Sequence, residues 1–414
     1  MKIKILDISY NGKGVGKEEG GKTIFVPKVD VGEEVEVEVS KTNKTFDEGK
    51  VLTLLKTSSN RIEPQCPYFE KCGGCDFQHL TYEREKEIKT EIIKREFEKI
   101  GVKEKIEFIE SEKRYNYRNK ITLKHLNGKL GYNEASSHQF VEISFCPLAD
   151  EKINKAVFDV LKFLKTKHFS FLKSVSFLLS ESDVLITFLF TKREKLMIDE
   201  TLKEYSIYLA VGEVLEKARI TKIFGKENFY KVCGVNFPLF PTSFLQVNTL
   251  VSEKLYQFVQ HNVRGMRVVN AYSGQGVLSV VLAQNNEFVF GIEYQKSSHE
   301  IAEKIKTKNM LNICGKVEEV LPNLTGKLDA IVLDPARAGC KKEVLEAITK
   351  SNITKIIYIS CNFATLMRDL SLLLKDFKTE KISIFDMFPL TANLETCVIL
   401  TKKQEKSKIL LKNA

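Results

Sequence analysis

The sequence predicts a multidomain chain in which a small N-terminal β-barrel precedes a central α+β domain and a C-terminal α/β domain with a mostly parallel sheet. Three observations predict this division. Glycine-punctuated short strands fill the first part of the chain, three cysteines lie close together in the second, and strands alternate with helices in the third. We expect the boundaries 1–58, 59–236 and 237–402, followed by a basic tail over 403–414.

The composition excludes several classes of protein before any motif is considered. The 414 residues include 64 Lys and Arg against 54 Asp and Glu, a net charge of +10, with 43% hydrophobic residues. These values are globular, and nine cysteines are too few for a disulfide scaffold in a chain of this length. No stretch approaches the about 20 apolar residues that cross a bilayer. Asp7, Asn11 and Lys13 interrupt any signal-peptide core, so we expect a cytoplasmic protein whose cysteines stay reduced or bind metal.

Residues 1–58 have the pattern of a small closed barrel. Val35–Val39 alternates strictly between apolar and acidic residues, and several similar short segments are separated by glycines, with no helical pattern. Basic and acidic residues balance over the segment as a whole, so any contact with nucleic acid must be local. The candidates are the lysines in the glycine-rich loops, Lys13, Lys17 and Lys22.

A cysteine group marks the central domain. Cys66, Cys72 and Cys75 lie within ten residues, and Gly73 and Gly74 allow the backbone to wrap closely around a bound centre. A fourth thiol must come from elsewhere, and Cys146, which precedes a proline, is the attractive choice. Four cysteine thiolates can hold either zinc or an iron–sulfur cluster, so the residues themselves leave the metal open.

A basic run with interleaved tyrosines follows the amphipathic segment Tyr82–Ile100. Between Lys113 and Tyr132 the sequence has six Lys or Arg, three Tyr and no acidic residue. One interpretation is a solvated edge strand, and the other is a surface that binds phosphates and stacks bases on tyrosine.

The C-terminal domain begins with a strand, a glycine turn and a helix. The turn at Tyr272–Gly276 has only two glycines, and the next strand ends at Glu293, where an acid can accept the ribose hydroxyls of an adenosine ligand. This pattern fits S-adenosylmethionine better than NAD. A generic glycine turn followed by a capping acid is the structural alternative.

Three further side chains lie at predicted strand ends, where open α/β sheets bind ligands. Asp334 and Cys361 each follow a hydrophobic strand, and Glu395 precedes the last strand. A thiolate beside a methyl donor suits methylation of C5 of a pyrimidine, in which Cys361 would add to C6 and Glu395 would remove the C5 proton. A base within duplex RNA is out of reach, so the target must be flipped or single-stranded. The alternatives are a core cysteine and a solvated turn acid.

Together these motifs resemble the RNA uracil-C5 methyltransferase family, in its ribosomal-RNA branch with an N-terminal TRAM-type barrel. Gly12–Gly16 with Ile24–Pro27 resembles the TRAM module, Tyr117–Lys120 resembles a sequence of the central domain, and Ser360–Asn362 resembles the nucleophile motif. The resemblance covers nearly the whole chain and implies an OB-like barrel and a Rossmann-like methyltransferase domain.

The resemblance also implies roles for individual residues. It implies that a [4Fe-4S] cluster is held by Cys66, Cys72, Cys75 and Cys146. It implies that S-adenosyl-L-methionine is bound by Gln246, Tyr272, Glu293 and Asp334, and that Cys361 and Glu395 are the nucleophile and the general base. The implied partner is RNA, 23S rRNA first and tRNA as the alternative, and we expect a monomer.

Three positions depart from the family pattern. Phe363 stands where Pro is usual, Asn393 where His is usual, and Leu390 where a polar residue is common. These departures are the support for a second interpretation, an RNA-binding assembly factor that retains the fold without turnover. A third interpretation, a radical enzyme that uses cluster and donor together, is disfavoured by four cysteine ligands and by the Cys361–Glu395 pair.

Overall fold

The computed structural model describes residues 1–135, 137–324 and 328–404 of the chain. These fall into two compact units. The N-terminal unit comprises Met1–Arg95, Phe108–Leu255 and Phe385–Leu394, and the C-terminal unit comprises Glu96–Glu107, Tyr256–Ile384 and the chain from Glu395 onward. The greater part of the predicted basic tail lies outside the described residues. No helix in the described ranges is long and apolar enough to span a membrane.

The N-terminal unit begins with the closed barrel that the sequence predicts. Its strand order is β1-β2-β3-β5-β4, and apolar side chains alternate inward along β1, β3 and the first half of β4. Gly14 and Gly49 are required where strands approach, since a Cβ on them would lie 2.3 Å from Val29 and 2.2 Å from Val37. The barrel strands are β1 Lys2–Ile8, β2 Gly14–Lys17, β3 Thr23–Val26, β4 Glu34–Thr42 and β5 Phe46–Lys56.

The loop lysines of this barrel have partners within it. Lys13 forms an ion pair with Glu48 at 2.5 Å, Lys22 forms one with Asp47 at 2.5 Å, and Lys17 donates to the Thr23 hydroxyl. Their contact with nucleic acid stays a prediction.

A seven-stranded, mainly antiparallel sheet forms the α+β part of this unit. Its strand order is β13-β12-β11-β10-β7-β8-β9, and only the pair β11–β12 is parallel. The apolar face of α2, with Val157, Val160 and Phe163 at helical spacing, packs into the core of this sheet. The elements from α1 to α3 are α1 Tyr82–Lys99, β6 Ile106–Ile109, β7 Lys120–Leu126, β8 Lys129–Asn133, β9 Phe140–Glu142, α2 Glu151–Thr166, β10 Leu172–Leu179, β11 Val184–Phe190, β12 Ser206–Val211, β13 Arg219–Phe224, the hairpin strands β14 Asn228–Val232 and β15 Val235–Leu239, and α3 Thr249–Asn262.

The basic, tyrosine-bearing run is divided between the interior and the surface of the N-terminal unit, and its strand β7 lies within the sheet and not at its edge. The Tyr117 hydroxyl donates to the Pro389 carbonyl at 3.0 Å, and Arg114 pairs with Glu85 at 2.7 Å. Arg118 is enclosed beside Tyr117, and Lys120 donates to the Ser243 carbonyl. These contacts give the enclosed part of the run a structural role. Lys113, Lys124 and Lys129 are exposed, so contact of the run with RNA stays a prediction.

A buried ion cluster fixes α1 to the segment Phe385–Leu394. The Lys89 ammonium lies 2.8 Å from both Glu85 and Asp386 and is almost fully buried, and Tyr82 donates to Asp386 at 2.7 Å. Burial lowers the pKa of Lys89, but the two carboxylates outweigh this effect and hold that pKa above its ordinary value. Lys89 therefore stays charged in the interior of this unit.

The C-terminal unit has the predicted, mostly parallel sheet covered by helices. In the strand order β18-β17-β16-β19-β20-β22-β21-β6, the strands from β18 to β20 are parallel and β22 runs antiparallel to β20. The order reverses between β16 and β19, and a crevice for ligands opens at such a reversal. The elements are β16 Arg267–Ala271, α4 Val277–Ala283, β17 Phe288–Glu293, α5 Lys296–Ile305, β18 Met310–Cys314, α6 Val317–Val320, β19 Ala330–Leu333, α7 Lys342–Lys350, β20 Lys355–Ser360, α8 Phe363–Leu373, β21 Phe377–Phe385 and β22 Glu395–Lys402.

Candidate functional site

The turn between β16 and α4 is a left-handed loop at the carboxyl edge of the sheet. Tyr272, Gly274 and Gly276 all have positive φ, at 61°, 55° and 83°. A Cβ on Gly276 would lie 2.9 Å from Ala302, so glycine allows α4 to begin close to α5. The turn thus presents its backbone toward the crevice with little side-chain bulk.

Glu293, at the end of β17, is fixed against this turn. Its carboxylate accepts the Gly274 N–H at 2.9 Å and the Gln295 N–H at 2.6 Å. Glu293 therefore does cap the turn, as the structural alternative to ribose binding predicts, and this contact is part of its role. Each oxygen has a further lone pair, so the same carboxylate can accept the hydroxyls of a ribose.

Cys361, Glu395 and Asp334 lie together at the same edge of the sheet. Cys361 follows β20, Asp334 follows β19, and Glu395 begins β22. The antiparallel pairing of Ser360 with Thr396 sets Cys361 beside Glu395. Glu395 is buried, Asp334 is half-buried, and Cys361 is exposed to the crevice, as a thiol that reacts with a ligand must be.

The carboxyl groups and the thiol influence one another's protonation. Burial raises the pKa of Glu395 well above its ordinary value, and the neighbouring charge of Asp334 adds to this rise. Burial also raises the pKa of Asp334. Burial, then the charges of Glu395 and Asp334, raise the pKa of the Cys361 thiol, while Arg337 opposes the rise. A thiol and a proton-accepting carboxyl are thus in electrostatic contact.

Arg337 is a member of this group that the sequence analysis missed. It is exposed in the loop after β19, three residues from Asp334, and its charge acts on Cys361. The signal available in the sequence was its place at a strand end next to a predicted site residue.

Two of the departures from the family pattern have a structural explanation. Phe363 is the first residue of α8, and its ring contacts the ring of Phe97 edge-on, with centroids 6.3 Å apart. The Asn362 carboxamide caps the same helix by accepting the Ala364 N–H. In the N-terminal unit, the Asn393 amide donates to the Thr391 hydroxyl at 3.2 Å. The third departure, Leu390, is buried with a φ of 68°.

The remaining predicted donor contact, Gln246, belongs to the N-terminal unit. It is buried, and its backbone carbonyl accepts a hydrogen bond from the Asn119 amide at 2.8 Å.

The four predicted metal ligands line one cavity of about 70 Å³ in the N-terminal unit. Burial raises the pKa of three of these thiols, that of Cys75 to about 12. The nitrogens Nε2 of Gln78 and Nε of Arg118 are buried in the wall without a hydrogen-bond partner in the described chain. No set of three His, Cys, Asp or Glu among the described residues is arranged to hold a single metal ion. The cysteines at the cavity are Cys66, Cys72, Cys75 and Cys146.

Comparisons with known proteins give a consistent result over most of the chain. Residues 81–317 and 324–403 match the family described as tRNA (uracil-5-)-methyltransferase, and residues 1–52 match the TRAM domain. An uncharacterized RNA methyltransferase of Clostridium tetani is 31% identical, covering 98% of this chain and 97% of that protein. One of Prochlorococcus marinus is 32% identical, covering 90% of this chain and 99% of that protein.

A solved structure is similar over nearly the same length. The tRNA (uracil-54, C5)-methyltransferase of Pyrococcus abyssi, in complex with S-adenosyl-L-homocysteine, has a TM-score of 0.80 and 25% sequence identity to this chain. The match covers 97% of this chain and 100% of that one.

Proposed function

Because this chain belongs to the tRNA (uracil-5-)-methyltransferase family, whose members are S-adenosylmethionine-dependent RNA methyltransferases, we propose that it methylates C5 of a uridine through a covalent adduct on Cys361. The observation that carries the proposal is the pairing of Ser360 with Thr396, which puts an exposed thiol next to a buried carboxyl group. A nucleophile and a base at adjacent strand ends are what this chemistry requires.

In the proposed reaction the Cys361 thiolate adds to C6 of the uracil ring. The electron pair released at C5 would then attack the methyl group of the donor sulfonium. The sulfur–methyl bond breaks as the new carbon–carbon bond forms, and S-adenosyl-L-homocysteine leaves as a neutral thioether. Glu395, as carboxylate, then takes the proton from C5. The C6–sulfur bond breaks, the 5,6 double bond returns, and Cys361 leaves as thiolate. Atoms balance, because one methyl group is gained and one proton is lost at C5.

The donor would be held by residues of the turn and the strand ends. We propose that Glu293 accepts the ribose hydroxyls, that Tyr272 contacts the donor from the turn, and that Asp334 contacts it from the end of β19. Gln246, in the N-terminal unit, stays a predicted donor contact. Support for Glu293 comes from its fixed orientation against Gly274, which leaves an acceptor at the crevice.

For the RNA target we propose 23S rRNA, on the presence of the N-terminal barrel. The similarity to the archaeal tRNA (uracil-54, C5)-methyltransferase along its full length favours tRNA as the second candidate. Mapping 5-methyluridine in rRNA and tRNA from cells that lack the gene distinguishes the two. Loss of one rRNA position is expected, loss of a tRNA position would favour the second candidate, and no loss in either would leave the RNA-binding assembly factor.

We also propose that Cys66, Cys72, Cys75 and Cys146 hold a [4Fe-4S] cluster. The donor set is all sulfur, and the four thiols line one cavity together, as the ligands of one shared cluster must. Zinc requires four thiolates within about 2.3 Å of one point. Zinc on the same four thiols is therefore the alternative, and metal analysis of the purified protein distinguishes the two.

A further inference from the structure

Asp369 is a fully buried carboxylate in the middle of α8, away from the thiol–carboxyl group. One of its oxygens accepts the Cys340 N–H at 2.8 Å and the Tyr358 hydroxyl at 2.6 Å. Its other oxygen accepts Nε of Arg368 at 2.8 Å. A buried acid with three donors is well compensated, and its contacts come from three different segments of the C-terminal unit.

Side chains of the same helix and of its N-cap donate hydrogen bonds to backbone carbonyls of the loop that follows Asp334. The Asn362 amide donates to the Arg337 carbonyl at 2.7 Å, and the Thr365 hydroxyl donates to the same carbonyl at 3.2 Å. Arg368 donates to the Ala338 carbonyl at 3.1 Å and to the Cys340 carbonyl at 3.0 Å. These residues follow one face of α8 at three- and four-residue spacing.

The contact between this loop and α8 is too close for any residue with a side chain at Gly339. A Cβ there would lie 2.7 Å from the Arg368 guanidinium, 2.8 Å from the Asp369 carboxylate and 2.9 Å from Thr365. Gly339 also has a φ of 73°. The loop is therefore closely fitted against the helix that begins two residues after Cys361.

The hydrogen-bonded group continues to the glycine turn. The Tyr358 and Tyr272 hydroxyls both interact with the buried Cys340 thiol. Burial raises the pKa of that thiol to about 11, and the two hydrogen bonds oppose the rise only in part, so it stays protonated near neutral pH. Tyr272 lies at the strained start of the turn, so the Asp369 group reaches all three loops at this edge of the sheet.

We propose that Asp369 is a positioning residue that fixes the relative positions of three loops. These are the loop after Asp334, the start of α8 after Cys361 and the turn at Tyr272. This inference rests on the proposed function, because it assigns those three loops to the donor site and the nucleophile. Asp369 touches neither the proposed nucleophile nor the proposed base in the contacts described above, so it acts through Cys340, Tyr358 and Arg368.

The test compares Asp369→Asn with Leu373→Ala, a control that removes a buried side chain from the last turn of the same helix and removes no hydrogen bond to the loop. The first readout is the affinity for S-adenosyl-L-homocysteine by equilibrium dialysis without RNA. The second is the rate of covalent adduct formation with 5-fluorouridine RNA at saturating donor. We expect Asp369→Asn to weaken donor binding about fivefold and to slow adduct formation about tenfold or more. Leu373→Ala should lower the thermal midpoint and leave both readouts within about twofold.

Equal behaviour of the two variants, whether both unchanged or both impaired, would overturn the inference and leave Asp369 a structural residue. If Asp369→Asn does not fold, Arg368→Met replaces it, since the Arg368 side chain is half-exposed and its loss removes the grip on Ala338 and Cys340. Unchanged donor affinity and adduct rate in Arg368→Met would then reject the inference. Wild-type protein that forms no adduct at all would instead reject the proposed function, so the two failures are distinguishable.

Discussion

The surroundings of Cys361 disfavour its nucleophilic thiolate form, because burial and two neighbouring carboxyl groups all raise the pKa of the thiol. Less of the thiol is ionised near neutral pH than in an ordinary cysteine. Arg337 opposes this rise, and enough thiolate must remain for the addition when RNA is bound. The consequence is a reaction that responds strongly to pH.

Adduct formation with 5-fluorouridine RNA should therefore accelerate as pH rises. Below the thiol pKa the thiolate fraction grows about tenfold for each pH unit, so the single-turnover rate should climb steadily between about pH 6 and about pH 8. The measurement is the rate of adduct formation at saturating donor across that range. A rate independent of pH would contradict the account of the Cys361 environment.

Glu395 should be needed for the last step and not for the first. Glu395→Gln keeps the shape of the side chain but cannot accept the C5 proton, so elimination is blocked after methyl transfer. We expect ordinary uridine RNA to accumulate as a covalent protein–RNA complex on denaturing gels. Normal turnover in this variant, with no trapped complex, would assign the base to another group.

Single residues show where sequence reasoning succeeds and where it stops. Cys361, Asp334 and Glu395 follow or precede strongly hydrophobic strands, so their placement at one edge of the sheet was predictable, and the structure does bring them together. The basic run shows where it stops, because only tertiary contacts reveal that Tyr117 is buried and that Arg118 packs beside its ring. Asp369 has no local signal at all.

Among the elements, α1 carries a buried charge that stabilises the N-terminal unit. Its Lys89 lies between Glu85 and Asp386, and the Leu390 N–H donates to Glu85 at 2.6 Å. The helix thereby holds Phe385–Leu394 by charged contacts in a place where water does not reach. Removing one partner leaves the other charges uncompensated.

Lys89→Met should consequently destabilise the N-terminal unit by about 3 kcal/mol or more, as breaking a buried ion pair does. Lys99→Met is the matched control on the same helix, since Lys99 forms an exposed pair with Glu96 and should change stability by about 0.5 kcal/mol at most. Urea denaturation followed by circular dichroism measures both. Equal stability of the two variants would show that the buried cluster contributes little.

The elements themselves were predicted unevenly. The strands on which the site prediction depended, β16, β17, β19, β20 and β22, are present. Strand β18 was missed, because Met310–Cys314 is short and follows a lysine-rich stretch. The edge strand β6 was missed for a similar reason, since Ile106–Ile109 gives four residues of weak pattern and joins a sheet whose other strands are distant in sequence.

For the chain as a whole, sequence order and spatial grouping differ. The segment Phe385–Leu394 lies between two strands of the C-terminal sheet but folds with the N-terminal unit. No compositional change marks it, so a division by sequence assigns it to the C-terminal domain. The predicted boundaries at 58, 236 and 402 stay predictions. The cysteine cavity likewise brings together residues about 70 positions apart in the sequence. This grouping was predicted, because Cys146 was proposed as the fourth thiol.

Metal analysis of anaerobically purified protein tests the cysteine cavity. We expect about four iron and about four sulfide per chain and little zinc, with iron lost in Cys75→Ser. Cys233→Ser is the control, because Cys233 lies in a hairpin outside the cavity and should retain full iron. Stoichiometric zinc without iron would show that the cavity was assigned to the wrong metal.

The central claim, that Cys361 forms a covalent bond to the uracil ring, is tested most directly by mass spectrometry of the complex with 5-fluorouridine RNA. The wild-type protein incubated with S-adenosyl-L-methionine should give one nucleotide adduct, mapped to the peptide that contains Cys361, and Cys361→Ala should give none. An adduct that persists in Cys361→Ala, or one that maps to another cysteine, would contradict the account.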